Sequence, residues 1–214
     1  METRIPTTIR KRTQDKETKM KMTGKVIAYD CETSGLDSEV CGLTQLSGII
    51  YIDGVQVDEF NFDIRPFTGA EIQKKALEVT GKTFDEVMNY PEEGEVFQEF
   101  ISLLKKHIDP MVYLDSLTPI AYNGNFDSLF MQAWFERQGK KFGNYLNYRL
   151  VDPLALLRIM HLEGLSNLPS YTLSNTYKAL FDEDFEAHDS QADVKAMMRI
   201  YAHLVDNYLI GKPL

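Results

Sequence analysis

The chain predicts an α/β fold in which one central, mixed, five-stranded sheet is flanked by helices. Two observations carry this expectation. Three strand-like runs follow one another early: Lys25–Asp30, Leu43–Ile52 and Val55–Ile64. Beyond Pro66, helical patterns alternate with two further short strand patterns, at Thr118–Tyr122 and Arg149–Asp152. Consecutive strands form an antiparallel meander, and helix–strand alternation then adds parallel strands covered by helices on both faces.

Each element has its own signal. Lys25–Asp30 (KVIAYD) is a nearly unbroken apolar run, the pattern of a strand buried on both faces. Asp53-Gly54 between the next two runs is a hairpin signature, because a tight two-residue turn needs positive φ at both positions. Glu71–Thr80 and Thr83–Met88 read as short helices. Glu92–His107 places Val96, Phe97, Phe100, Leu103 and Leu104 on one helical face. A helix follows the Thr118–Tyr122 strand to about Gln138. The Arg149–Asp152 strand runs into helix Pro153–His161, with proline at a first-turn position. Tyr171–Leu180 and Gln191–Leu209 complete the helical set.

The 214 residues suffice for one domain with a sizeable core. Apolar residues make up 43% and charged residues 26%, an ordinary globular balance. Residues 1–23 are polar and basic and read as a flexible arm, leaving residues 24–214 as the folded domain. No apolar run is long enough for a bilayer, none at the N-terminus resembles a leader, and Cys31 and Cys41 fit neither a disulfide framework nor a metal spacing. A soluble, cytoplasmic protein is expected. The net charge of −9 argues against tight duplex binding, although residues 1–25 carry a net +5. Phosphates would be held weakly, favouring short or single-stranded ends.

Chemistry-bearing residues fall in three separated segments. Asp30 and Glu32 are two apart on a strand, so both side chains face one way while Cys31 faces the core. Two such close carboxylates repel unless a cation lies between them, and oxygen donors suit Mg²⁺ or Mn²⁺. Thr33-Ser34-Gly35 makes a hydroxyl-rich turn that ends on apolar Leu36. Asp127 lies near a helix start after the Asn123-Gly124-Asn125 turn, on the border of the stripe containing Phe126 and Phe130. Asp193 sits on the edge of the last helix's apolar stripe, beside Met197 and Leu204, with His188 just before the helix. Taken singly, the Asp30/Glu32 pair reads as a solvated strand end, and Asp127 as a partner of its helix dipole. The other histidines, His107, His161 and His203, lie in ordinary helices and read as structural.

Together the three segments resemble the DnaQ-like 3′–5′ exonucleases of the DEDDh subclass, which have the ribonuclease H-like fold. Asp30-x-Glu32-Thr33-Ser34-Gly35-Leu36 is similar to the family's first motif. Asn123-x-x-Phe126-Asp127 is similar to its second, and His188-x-x-x-x-Asp193 to its third. Asp58–Pro66 and Val151-Asp152-Pro153-Leu154 are weaker echoes, and the resemblance spans about residues 25–209. Three departures stand out: Tyr122 where many members carry histidine, Ser190 in place of a common alanine, and Gln45 where glutamate is frequent.

The resemblance implies catalytic roles for Asp30, Glu32, Asp127, His188 and Asp193. The four carboxylates would hold two divalent ions, Mg²⁺ or Mn²⁺, with Asp30 shared between them and His188 as general base. Thr33, Ser34, Gly35, Leu36, Asn123 and Phe126 would contact the substrate, a nucleic-acid 3′ end of DNA or RNA, with a polymerase as a possible partner. A nucleotide-binding loop at Gly81-Lys82-Thr83 is excluded, because Ala76 occupies its first glycine position and the preceding segment reads as helix. The alternative reading is a non-catalytic nucleic-acid-binding or polymerase-associated module that retains the fold.

Overall fold

The computed structural model describes residues 20–209. Four strands form the sheet in the order β3-β2-β1-β4: β1 (Lys25–Thr33), β2 (Leu43–Ile52), β3 (Val55–Asp63) and β4 (Thr118–Ile120). The meander is antiparallel, with Asp30 opposite Ser47 and Ser47 opposite Asn61; β4 runs parallel to β1, with Ala28 opposite Ile120. The expected hairpin forms at Asp53 (φ 48°) and Gly54 (φ 78°). A Cβ at Gly54 would lie 1.9 Å from the Met20 carbonyl oxygen, so only glycine fits there.

The fifth strand expected at Arg149–Asp152 does not form. Its place beside β4 is filled by two isolated parallel bridges, Leu117–Leu146 and Ile120–Val151. Asn147 explains the break between them. Its side-chain oxygen accepts the Arg149 amide at 2.9 Å, a local turn that competes with strand pairing. Asp152 then caps a helix through the Leu154 amide, so the strand has no length left.

Among the described residues, seven α-helices flank the sheet: α1 (Lys74–Thr80), α2 (Phe84–Met88), α3 (Glu93–Leu104), α4 (Asn125–Arg137), α5 (Pro153–Leu162), α6 (Leu173–Phe181) and α7 (Ser190–Leu204). Helix α1 begins three residues later than expected. Glu71 is held extended, its amide donating to the Val40 carbonyl and its carbonyl accepting the Ser34 hydroxyl. Thr83 and Glu86 form a reciprocal capping box on α2. Helix α7 runs into a π-helical turn at Val205–Leu209.

Alternation along β1 divides the core in two. Ile27, Tyr29 and Cys31 join the larger cluster, where Phe97 meets Trp134 and Phe135 edge-on at 4.9 and 5.0 Å. Val26 and Ala28 face the other way, against Val194, Met197 and Met198 of α7. Of the arm expected at residues 1–23, Met20–Thr23 lie within the described residues, and Met20 and Met22 pack against this second cluster. Among the described residues, no helix is long and apolar enough to cross a membrane.

Candidate active site

The face of β1 that is apolar at Val26 and Ala28 turns polar at its carboxyl end. There Asp30 and Glu32 stand on the same side as Ser47, Gln45 and Asn61 of the neighbouring strands. The first turn of α7 is fastened over this patch by a 2.6 Å hydrogen bond between the buried Ser47 and Ser190 hydroxyls. That contact brings Asp193 down onto the strand end. The apolar side of α7 thus docks the helix, and the border position of Asp193 aims a carboxylate at two others.

Asp127 arrives from the edge of the sheet. Strand β4 ends opposite Ala28, so β1 has no strand partner on that side at Cys31. The buried Asp127 carboxylate takes over, accepting the Cys31 amide at 3.0 Å through Oδ1. One of its oxygens is therefore committed to the backbone, which fixes the start of α4 against β1 and leaves the other oxygen for the site.

The four carboxylates feel one another. Burial pushes the Asp30 carboxyl well above the usual range, and the charges of Asp127, Asp193 and Glu32 push it further. Glu32 is pushed up to about 8 by burial and then by Asp193, Asp127 and Asp189. Burial likewise raises Asp127 to about 7, against the pull of the Cys31 amide, and Asp193 to about 6, against the pull of the His188 amide. An acid cluster this close is costly when ionised without a counter-charge.

His188 stands at the rim. It is exposed and adopts a left-handed backbone (φ 69°), an uncommon conformation for a residue with a side chain. Its amide donates to Asp193 Oδ2 at 3.1 Å, which accounts for the turn. One donor atom each from Glu32, His188 and Asp193 lies within 4.8 Å of the others, close enough for one ion. Oxygen dominates the donor set, which suits a hard divalent cation such as Mg²⁺ or Mn²⁺.

Most of the remaining candidate residues build the walls. The Thr33 hydroxyl donates to the Gly35 carbonyl at 2.7 Å. Ser34 is buried, donating to the Glu71 carbonyl and accepting the Gly42 amide at 2.9 Å. A Cβ on Gly35 would lie 2.4 Å from Cys41 Sγ, so glycine is needed for the turn to pack. Leu36, 80% exposed, is the member presented outward. Phe126 is half-buried against Phe130, at 4.9 Å between ring centres. Asn123 is exposed in a left-handed turn (φ 55°), its amide held by Asp152 Oδ1 at 3.0 Å.

A family model described as an exonuclease, RNase_T, matches residues 27–201. The chain belongs to this exonuclease family. It is 27% identical over 180 residues to the PolC-type DNA polymerase III of Thermotoga petrophila, covering 84% of this chain and 12% of that protein. It is 23% identical over 192 residues to ribonuclease T of Hahella chejuensis, covering 85% and 84%. A single-stranded-DNA complex of Escherichia coli exonuclease I superposes with a TM-score of 0.73 at 21% identity, covering 88% of this chain and 42% of that one. The chain thus spans a small part of the PolC proteins and under half of exonuclease I. The fold is the ribonuclease H-like one, with four strands here.

The departures of this chain from its family's pattern come with partners. Ser190 has Ser47. Gln45 donates to Asn61 at 3.0 Å. The Tyr122 hydroxyl donates to the Tyr171 carbonyl at 2.9 Å and lies 2.8 Å from the Thr176 hydroxyl. The roles of three residues near the carboxylates escaped sequence reasoning. Asp189, adjacent to His188, adds a further negative charge at Asp30, Glu32 and Asp193. Lys82 opposes these charges at Glu32, an effect that no local pattern in the sequence encodes. Asp152 clamps the Asn123 turn to the start of α5, a role its place before Pro153 hinted at.

Proposed function

We infer that the chain is a metal-dependent 3′–5′ exonuclease that removes nucleoside 5′-monophosphates from a single-stranded end. The observation that carries this reading is the convergence of Asp30, Glu32, Asp127 and Asp193, from three separate segments, on one end of β1 with His188 beside them. Asp30, Glu32, Asp127 and Asp193 would hold two divalent cations, and mutual repulsion at neutral pH fits such an occupant. When bound, such cations supply Lewis acidity at the phosphate and charge neutralisation around it. His188 takes a proton from the attacking water, a role its exposed position at the rim supports. The water oxygen bonds to phosphorus, and the bond to the 3′ oxygen of the preceding nucleotide breaks. That oxygen leaves with the electron pair and is protonated. Leu36 and the turn behind it would pack the terminal base, and Asn123 would contact the adjoining nucleotide.

The acidic chain supports a short, salt-sensitive grip on nucleic acid. The likeness to exonuclease I bound to single-stranded DNA supports a single-stranded substrate, and the likeness to PolC supports a polymerase partner. The test is hydrolysis of 5′-labelled single-stranded DNA and RNA with Mg²⁺ or Mn²⁺, beside Asp30→Ala. The expected result is a ladder shortening from the 3′ end that is lost in the variant. No cleavage of either polymer by folded, metal-loaded protein would overturn the reading.

A further inference from the structure

A cleft of about 420 Å³ is lined by Tyr122, Asn123, Arg158, Ser170, Tyr171 and Thr172 among others. Strands β1 and β4 are parallel with Ala28 opposite Ile120, and that register carried two residues past the end of β4 sets Tyr122 level with Asp30.

The cleft is braced. The Tyr122 hydroxyl ties the end of β4 to the Tyr171 carbonyl and to Thr176 of α6. The Tyr171 ring meets His161 edge-on at 5.5 Å, and its hydroxyl lies 3.2 Å from that of Ser166. Asp152 holds Asn123 through its backbone amide, leaving the carboxamide exposed. The loop before α6 and the turn before α4 therefore stand at a fixed spacing without any ligand.

The chemistry of the lining is one-sided. Arg158 is exposed on α5 and supplies a guanidinium, Asn123 a carboxamide, and Ser170 and Thr172 hydroxyls. Thr172 accepts the Asn175 amide at 3.3 Å, so its own proton remains available to donate. The lining residues include no acid, although the chain carries a net charge of −9; the Asp152 carboxylate, whose charge is felt at Tyr122, is engaged by the Asn123 and Leu154 amides. A donor-rich cleft with one exposed guanidinium, flanking an acidic site, suits an anion that is linked covalently to whatever occupies that site. Guanidinium pairs with phosphate through two parallel hydrogen bonds, the strongest such contact available to a side chain.

We propose that this cleft is a subsite for an internucleotide phosphate on the 5′ side of the scissile bond, with Arg158 as its principal ligand. The proposal rests on the exonuclease reading above and adds a dependence on substrate length. A trinucleotide carries such an upstream phosphate. Thymidine 5′-p-nitrophenyl phosphate presents a scissile ester and nothing beyond it.

The experiment compares kcat/KM for these two substrates in wild type, Arg158→Ala and Arg158→Lys. Arg158→Ala is expected to lower kcat/KM for the trinucleotide about tenfold or more. The aryl ester should be hydrolysed within twofold of wild type. Arg158→Lys should recover part of the loss, because charge returns without the two-pronged geometry. The log–log salt slope for single-strand binding should fall by about 0.7 in Arg158→Ala, the signature of one lost phosphate contact. An Arg158→Ala protein that handles the trinucleotide as well as wild type, or loses both substrates equally, overturns the subsite alone. A wild-type protein that cleaves neither substrate overturns the exonuclease reading and the subsite with it.

Discussion

The end of β1 and the segment entering α7 supply the same site by opposite means. Asp30 and Glu32 are fixed by a strand paired on one side with β2 and tethered on the other by Asp127. His188 sits in a loop, exposed, in a left-handed conformation, tethered through its own amide to Asp193. Nearby, Gln45 reaches Asp189 only at 3.5 Å. The contrast teaches a division of labour. Charges that must stand close together despite repulsion are built on the most rigid part of the fold, where packing outweighs the cost. The group proposed to move a proton is placed where it can adjust to the substrate.

The largest expected effect breaks the rigid half. Asp30→Asn should lower kcat by on the order of 10⁴-fold. The same change removes one repelling charge, so the metal-free protein should melt about 2–4 °C higher at pH 8. A variant that loses both activity and metal-free stability would show that Asp30 serves folding instead.

Next comes the loop. His188→Ala should cost about 10²–10³-fold in kcat. Its circular dichroism should match wild type, and millimolar Mg²⁺ should still raise its melting temperature. If that metal-induced rise vanishes, His188 is a ligand alongside Glu32 and Asp193 and not the base.

The pH dependence sharpens the same distinction. Glu32, Asp127 and Asp193 are raised in the folded protein to about 8, about 7 and about 6. Each then binds more protons folded than unfolded at intermediate pH. Metal-free stability should therefore be full below about pH 4 as far as these groups are concerned, and fall as pH rises from there to about 8. The rise in melting temperature with Mg²⁺ should be larger at pH 8 than at pH 6, because protons compete with metal for the same oxygens. Melting temperatures that are flat across this range, with and without Mg²⁺, would contradict a repelling cluster.

The smallest expected effect concerns the joint between the two halves. Ser190→Ala should cost about 1 kcal/mol in urea unfolding, because Ser47 keeps its second partner, Asn61. Turnover should change by no more than a few-fold, because the apolar face of α7 still docks the helix on β1; a larger loss would show that the hydroxyl pair alone sets the distance of Asp193 from the strand.

The sequence revealed what depends on local pattern. The apolar run at Lys25–Asp30, the Asp53-Gly54 turn and the helical stripes of α3 and α7 were legible because each buries a face whose spacing is written in consecutive residues. The fifth strand was misread, because a single hydrogen bond inside the turn at Asn147 outcompetes a short β pattern. The start of α1 was misread for a related reason: Glu71 is claimed by Ser34, thirty-seven residues away. In the site, residue types and spacing picked out the carboxylates. They could not show that Asp127 spends one oxygen on the Cys31 amide, or that Ser34 is consumed by Gly42 and Glu71. Such commitments arise between segments distant in sequence, and only the folded packing reveals them.

Calorimetric titration of Mn²⁺ at pH 8 into wild type, Asp30→Asn and His188→Ala tests the division of labour most directly. The account predicts two ions bound by wild type, loss of at least one in Asp30→Asn, and both retained in His188→Ala. Equal loss of Mn²⁺ in the two variants, or wild-type binding by Asp30→Asn, would contradict it.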